Sequence, residues 1–183
     1  MRARIVDAAV AITAESGWSG VTMAVVADRV GVSRQTVYNE VGTKHGLAEA
    51  VILHELERFL GVVTRAFEEH RDDLVGAIRA ASRGVLELAQ DNQLMRAVVS
   101  ATHGADTELL PLLTTHAESL LATAKLVVAE GLASYDLPLE DHHVDVAIDV
   151  VVRVVLSHVM QPSGSPAETA DGIAWLAGAA LRP

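Results

Sequence analysis

Three glycines at positions 17, 31 and 42 each end a short run of apolar residues at helical spacing. The first run carries its apolar side chains three and four residues apart, which is the period of one helix face. Thr22 and Ser33 are good helix N-cap residues, and each directly precedes one of the next two runs. Such short helices cannot bury an apolar face alone. The first 45 residues therefore predict three short helices around one small core.

The rest of the chain also follows the helical period, because its turn signals are separated by stretches that are too long for strands. Thr43 is the predicted cap of a long helix from Lys44 to about His70. An apolar stripe follows from Leu74 to Leu88. We predict an all-α fold with about nine helices, the later ones at about 93–102, 107–133, 140–160 and 166–182.

The valine-rich segment 144–159 favours a strand by propensity alone. However, Asp141, Asp145, Asp149 and Arg153 recur every four residues, and this spacing places them along one line of a helix. We therefore predict a helix that is buried on most sides, with one polar stripe exposed to solvent that includes an Asp149–Arg153 pair. A capping box beginning at Ser165 predicts the start of the last helix.

Composition excludes several classes of site and leaves the partner open. The chain contains no cysteine, so disulfides, thiolate metal sites and cysteine nucleophiles are absent. No secretory signal or membrane span is evident, and a cytoplasmic location without membrane contact is expected.

The net charge is −10, yet residues 1–45 hold five Lys/Arg against four Asp/Glu, and the remainder holds nine against twenty. This asymmetry is typical of a nucleic-acid-facing segment on an acidic body.

Residues 22–47 have the layout of a helix-turn-helix, in which a second short helix enters the DNA major groove. On the helix that follows Ser33, Val37 is predicted to face the core. Arginine recognises guanine, and Gln or Asn recognises adenine, by paired hydrogen bonds. We predict base or phosphate contacts from Thr22, Ser33, Arg34, Gln35, Thr36, Tyr38, Asn39, Thr43 and Lys44.

This segment resembles the TetR family of bacterial repressors over about residues 3–56. The resemblance rests on Val26-Ala27, Gly31-Val32-Ser33, Thr36-Val37-Tyr38 and Thr43-Lys44 at matching intervals. It implies a homodimer that binds a palindromic double-stranded operator and is released from it by a small-molecule effector. It also implies that the last two helices of each chain form a four-helix bundle with those of its partner.

Three features depart from the family pattern. Val41 stands where phenylalanine is usual, which should loosen packing between the short helices. Glu40 occupies a position near the phosphates, where a carboxylate would be repelled, and it is excluded from the predicted contacts. The basic N-terminal arm of some members is missing or reduced to Arg2 and Arg4.

The chain has eight histidines, which are candidates for ligand, metal or catalytic groups. His103, His116 and His158 lie in otherwise apolar predicted helices, where a polar group could orient an effector or simply be satisfied in the core. His142 and His143 are expected on the surface, pointing in different directions. No two histidines have the spacing of a zinc-protease helix, and neither a metal site nor a cofactor is expected.

Taken together, the sequence predicts two domains, residues 1–45 for DNA binding and residues 46–183 for ligand binding and dimerisation. The body is rich in Leu, Val and Ala, which suits a lipophilic effector, although a helical core has the same composition. No catalytic motif is present, so an enzyme is not expected. Two alternatives stay open: a helical carrier or enzyme with a vestigial head, and a protein-interaction adaptor.

Overall fold

A computed structural model describes residues 1–92, Met95 and residues 117–182 of the 183-residue chain. Every regular element in these ranges is helical, as the sequence predicts. The chain forms two compact units, which are described separately. The head unit comprises residues 1–57 with 92–118, and the body unit comprises residues 58–91 with 119–183.

The head unit begins with three short helices, as the spacing of the glycines predicts. They are α1 (Arg2–Ser16), α2 (Met23–Val30) and α3 (Arg34–Val41), with a 3₁₀ turn at Trp18–Gly20. The long helix α4 follows at Lys44–Glu69 and extends from the head unit into the body unit. Its predicted end at about His70 is thus correct to one residue.

One apolar cluster holds the head helices together. Ile5 from α1, Val26 from α2, Val37 from α3 and Leu47 from α4 are all fully buried in it, as is Val21 before α2. Burial of such side chains contributes about 1.5–3 kcal/mol each. This shared core fixes α3 on the other helices, because α3 itself buries only Val37 and Val41.

The ends of α2 show why the chain turns where it does. The Thr22 hydroxyl accepts a hydrogen bond from the backbone N–H of Val25 at 3.2 Å and so caps the first turn. Gly31 follows the last turn with φ 76° and ψ 40°, a left-handed conformation that costs other residues a steric penalty. Its N–H bonds to the Ala27 carbonyl at 2.9 Å. Local chemistry alone therefore sets both ends of this helix.

The described part of the body unit consists of the remainder of α4 and four further helices. These are α5 (Leu74–Asp91), α6 (Ala117–Leu132), which begins in the head unit, α7 (Asp141–Met160) and α8 (Pro166–Ala180). Helix α8 packs along α5, and its small residues Ala170 and Ala174 are completely buried. A capping box starts α8: the backbone N–H of Glu168 bonds to the Ser165 hydroxyl, while the Glu168 carboxylate accepts the Ser165 N–H at 3.1 Å.

A second apolar cluster in the body unit joins α4, α5 and α6. Phe67 and Ala77 are buried there, and Tyr135 packs edge-to-face on Phe67 with a centroid distance of 6.2 Å. The Tyr135 hydroxyl donates a 2.8 Å hydrogen bond to the carbonyl of His70. Burial of the hydroxyl is the main cause that raises the pKa of Tyr135, and the nearby Asp73 and Asp72 carboxylates raise it further. The phenol thus stays protonated as the donor that ties the end of α6 to the end of α4.

One prediction about the body is wrong. Helix α7 is not buried on most sides, because within the described chain only Ile148 and Val152 are buried. Its neighbours α5 and α8 cover one side of it, and Val146 remains 58% exposed. The predicted polar stripe and its ion pair are confirmed. Arg153 Nε lies 2.8 Å from Asp149 Oδ2, and Lys125 of α6 also pairs with Asp149. Apart from Met95, the predicted helix 93–102 lies outside the described residues, as does the first part of 107–133.

Candidate DNA-binding surface

Helix α3 separates its core residues from its polar residues. Val37 and Val41 are buried in the head cluster, whereas Arg34, Gln35 and Asn39 are exposed, and Tyr38 is 48% exposed. The predicted orientation of Val37 is confirmed. An exposed row of Arg, Gln and Asn offers both donors and acceptors for base edges.

Hydrogen bonds within two pairs of residues order this polar row in the isolated chain. The amide of Gln35 donates from Nε2 to Asn39 Oδ1 at 2.9 Å, one helical turn away. The Ser33 hydroxyl caps α3 by accepting the N–H of Thr36 at 3.1 Å, and the two hydroxyls are 2.9 Å apart. Four of the predicted site residues therefore meet in two pairs, and their rotamers are partly fixed before any DNA contact.

The predicted DNA-binding residues Thr22, Thr43 and Lys44 are located at helix starts. Thr22 caps α2, and the Thr43 hydroxyl accepts the N–H of Gly46 at 3.2 Å in the first turn of α4. The ammonium of Lys44 lies 5.6 Å from the centroid of the Trp18 ring, within range of a cation–π contact. The Trp18 indole is 3% exposed and therefore provides a rigid support for this lysine.

Arg2 and Arg4 have a role that the sequence did not reveal. Arg2 Nη1 donates to the Glu40 carbonyl at 2.8 Å, and Arg4 Nη2 donates to the Val30 carbonyl at 3.0 Å. Both carbonyls belong to the last turns of α3 and α2, where backbone acceptors lack helical partners. Instead of extending as a remnant of a basic arm, both arginines stabilise helix ends inside the head. The contacts span 38 and 26 residues, so no local spacing signals them.

An exposed ion pair connects the first two helices. Arg29 of α2 contacts both carboxylate oxygens of Glu15 on α1, at 2.9 and 2.7 Å. The hydrogen bond from Arg29 lowers the pKa of Glu15 and raises that of the guanidinium. Arg29 is thereby engaged within the head.

The predicted effector histidines are only partly described. His158 is half-buried on α7, and its Nδ1 lies 2.8 Å from the Val154 carbonyl one turn earlier, which accounts for one ring nitrogen. His103 and His116 lie outside the described residues. His142 and His143 are exposed, but their predicted divergence is wrong, because their ring centroids are only 3.7 Å apart.

Comparison with known proteins explains the head geometry. A family model described as "Bacterial regulatory proteins, tetR family" matches residues 5–51, and one described as "Bacterial Tetracyclin repressor, C-terminal domain" matches residues 73–179. The chain belongs to the TetR family. It is therefore a DNA-binding transcriptional regulator with a ligand-binding C-terminal domain, and the resemblance in residues 22–47 is confirmed.

Individual relatives agree over nearly the whole chain. The HTH-type transcriptional regulator AlkX of Mycobacterium tuberculosis is 26% identical over 176 residues, which cover 96% of this chain and 82% of AlkX. The crystal structure of the repressor AlkX from a Dietzia species, implicated in biodegradation of n-alkanes, superposes with a TM-score of 0.78 at 29% identity, covering 97% of this chain and 96% of that one. A TetR-family regulator from Mesorhizobium loti shares the fold, with a TM-score of 0.69 and 19% identity over 97% and 93% of the two chains.

These matches decide between the functional classes that composition left open. The matched families and relatives are transcriptional regulators and not enzymes, so the enzyme alternative is set aside. Among the described residues, no helix is long and apolar enough to cross a membrane.

Proposed function

We propose that this regulator is a cytoplasmic repressor that binds a roughly palindromic operator as a homodimer and leaves it when a lipophilic effector binds the body. The observation that carries the proposal is the exposed polar row of α3, which Val37 and Val41 anchor to the head core. Residues 1–45 are assigned to DNA binding, and residues 46–183 to effector binding and dimerisation.

Direct base recognition is assigned to Arg34, Gln35 and Asn39. An arginine fork pairs with O6 and N7 of guanine, and a Gln or Asn amide pairs with N6 and N7 of adenine. The Gln35–Asn39 hydrogen bond holds both amides on the exposed surface of α3. On DNA, one or both amides give up this hydrogen bond and pair with a base edge instead. Because both amides already lie on the exposed surface, α3 in the free protein is close to its DNA-binding conformation.

Phosphate contacts are assigned to the hydroxyls and the cation around α3. Thr22, Ser33 and Thr43 already accept from helix N–H groups. The Thr22 and Thr43 hydroxyls each keep a proton to donate, whereas the Ser33 and Thr36 hydroxyls, which bond to each other, keep one between them. Lys44 contributes the charge, and Tyr38 contributes a further donor. Contacts of this kind position the protein and make its affinity depend on salt.

The dimer is assigned to helices α7 and α8. These helices expose large apolar side chains that the described part of the chain leaves uncovered: Val146, Val150, Leu156, Met160, Trp175 and Leu176. Trp175 is 70% exposed, which is unusual for so large an apolar group. A second copy of the same two helices would cover them in a four-helix bundle, and the twofold axis of that dimer matches a palindromic operator.

The effector is assigned to the aliphatic class. Leu, Val and Ala dominate residues 85–160, and the chain has only 3% aromatic residues. A lining of this type suits saturated chains, and the Dietzia relative is implicated in n-alkane biodegradation. His158, together with His103 and His116, provides candidate polar groups. The effector must bind the DNA-free conformation more tightly, since only differential affinity shifts the equilibrium.

The DNA-binding assignment is tested by fluorescence anisotropy on an operator duplex obtained by selection from genome fragments. Arg34→Ala should weaken binding by about 5- to 150-fold, which corresponds to the 1–3 kcal/mol of one paired base contact. Lys44→Ala should weaken binding to all duplexes and reduce the salt slope by about one unit. The matched control is Arg65→Ala, because Arg65 is also exposed but lies on α4 in the body unit. Equal losses in Arg34→Ala and Arg65→Ala would refute the assignment of α3.

The dimer assignment is tested by sedimentation of the full chain. A Trp175→Glu, Leu176→Glu double variant should sediment as a monomer, because two carboxylates would be buried without partners. Leu53→Glu is the control, since Leu53 is 52% exposed but lies on α4 in the head unit. A double variant that stays dimeric would place the interface elsewhere.

A further inference from the structure

Three metal-ligating side chains meet at the start of α7, and none of them is among the residues assigned above to DNA or effector contacts. Glu140, His142 and His143 each provide one ligand atom, and these three atoms lie within 4.8 Å of one another. The described residues contain one such group. All three side chains are exposed, so they can rotate toward a common point without disturbing a core.

The geometry within the group is specific. The two imidazole centroids are 3.7 Å apart with an angle of 39° between the ring planes. His142 Nδ1 lies 3.5 Å from Glu140 Oε2, so the carboxylate already faces one ring nitrogen. Glu140 occupies the N-cap position of α7, yet its side chain makes no capping hydrogen bond. The Glu140 carboxylate therefore accepts no capping hydrogen bond from the first N–H groups of α7.

We propose that Glu140, His142 and His143 form a binding site for a divalent first-row transition ion, with zinc as the reference ion. Imidazole and carboxylate together suit zinc, nickel and copper better than magnesium or calcium, which prefer oxygen ligands alone. In a tetrahedral zinc site the ligand atoms lie about 2.0–2.2 Å from the ion, hence roughly 3.4 Å from each other. Rotation of the exposed side chains closes the present separations to that value, and water completes the coordination.

Local charge supports this assignment despite the helix dipole. The N-terminus of a helix is its positive end, which opposes a bound cation. Here Glu140 at the N-cap and Asp141 in the first turn place two carboxylates at this end of α7, and Asp145 follows one turn later. Imidazole binds a metal ion in its neutral form, so the negative charge of the metal-binding form comes from these carboxylates.

The test is zinc titration of the full chain without an affinity tag, after chelator treatment, by calorimetry. One ion per chain should bind, and His142→Ala and His143→Ala should each weaken binding by about tenfold or more, since each removes one of three protein ligands. Glu140→Gln should weaken it less, because the amide oxygen is a poorer ligand but keeps the size. Cobalt, as a spectroscopic substitute, should give visible absorption bands that the His142→Ala variant lacks.

The matched control is His45→Ala. His45 is exposed and lies 3.4 Å from Glu49, so it forms a histidine–carboxylate pair without a second histidine. Its loss should leave the zinc affinity unchanged. Absence of saturable binding up to about 1 mM zinc would overturn the proposal. So would an unchanged affinity in a His142→Ala, His143→Ala double variant that circular dichroism shows to be folded, because the ion would then be bound elsewhere.

Discussion

Replacement of Val37 by alanine tests how α3 is held in the head. Val37 is fully buried, and only it and Val41 anchor α3. The substitution removes two methyl groups, which at about 0.8 kcal/mol each accounts for roughly 1.6 kcal/mol of transfer free energy. Incomplete collapse of the cavity raises the expected loss to about 2–3 kcal/mol. A loss of this size should lower both the stability of the head unit and its operator affinity.

The assay is urea denaturation followed by tryptophan fluorescence in a Trp175→Phe background. The chain has two tryptophans, so Trp18, which lies in the same buried cluster as Val37, then reports on the head unit alone. Val25→Ala is the matched control, because Val25 is 40% exposed on α2 and makes the same chemical change. Alanine gains about 0.5 kcal/mol of helix propensity at either site, so this term cancels. If Val37→Ala and Val25→Ala have equal stability, the described core of the head is wrong.

Three further outcomes follow from individual contacts. Thr22→Ala should cost about 1 kcal/mol of unfolding free energy by removing the cap of α2, and an unchanged urea midpoint would contradict that role. Gly31→Ala should cost about 1–2 kcal/mol through its φ of 76° alone, since nothing lies within 4 Å of an added methyl; a thermal melt that matches wild type would argue against this turn. Hydrogen bonds from Lys125 and then Arg153 lower the pKa of Asp149, so its contribution is present above the ordinary aspartate pKa of about 3.9 and is lost as pH falls through the lower folded value. Thermal melts of wild type and Asp149→Asn should therefore converge in acid and differ near neutrality; a constant difference would exclude the linkage.

The helix ends that the sequence predicted correctly are those fixed by neighbouring residues. Thr22, Ser33 and Ser165 cap helices through contacts three residues away, and Gly31 ends α2 by its own conformation. Likewise, the spacing of Val37 from its neighbours sufficed to place it in the core. Such features depend on local chemistry, which sequence patterns record directly.

The features that the sequence did not predict depend on contacts between distant residues or on side-chain rotation. Arg2 reaches the end of α3 because α1 packs against α3, and Trp18 supports Lys44 across 26 residues of chain. His142 and His143 are adjacent, so a helical wheel separates them, yet rotation brings their rings together. The exposure of α7 was missed because a valine-rich helix has the same composition whether its own chain or a partner covers it.

Genome-fragment selection with the purified protein at moderate salt, followed by footprinting of the enriched duplex, tests the central claim most directly. We predict a protected site with twofold symmetry that is lost on Tyr38→Ala and Lys44→Ala but kept in Arg65→Ala. Failure of the folded, dimeric protein to enrich any duplex would contradict the assignment of operator binding to residues 1–45.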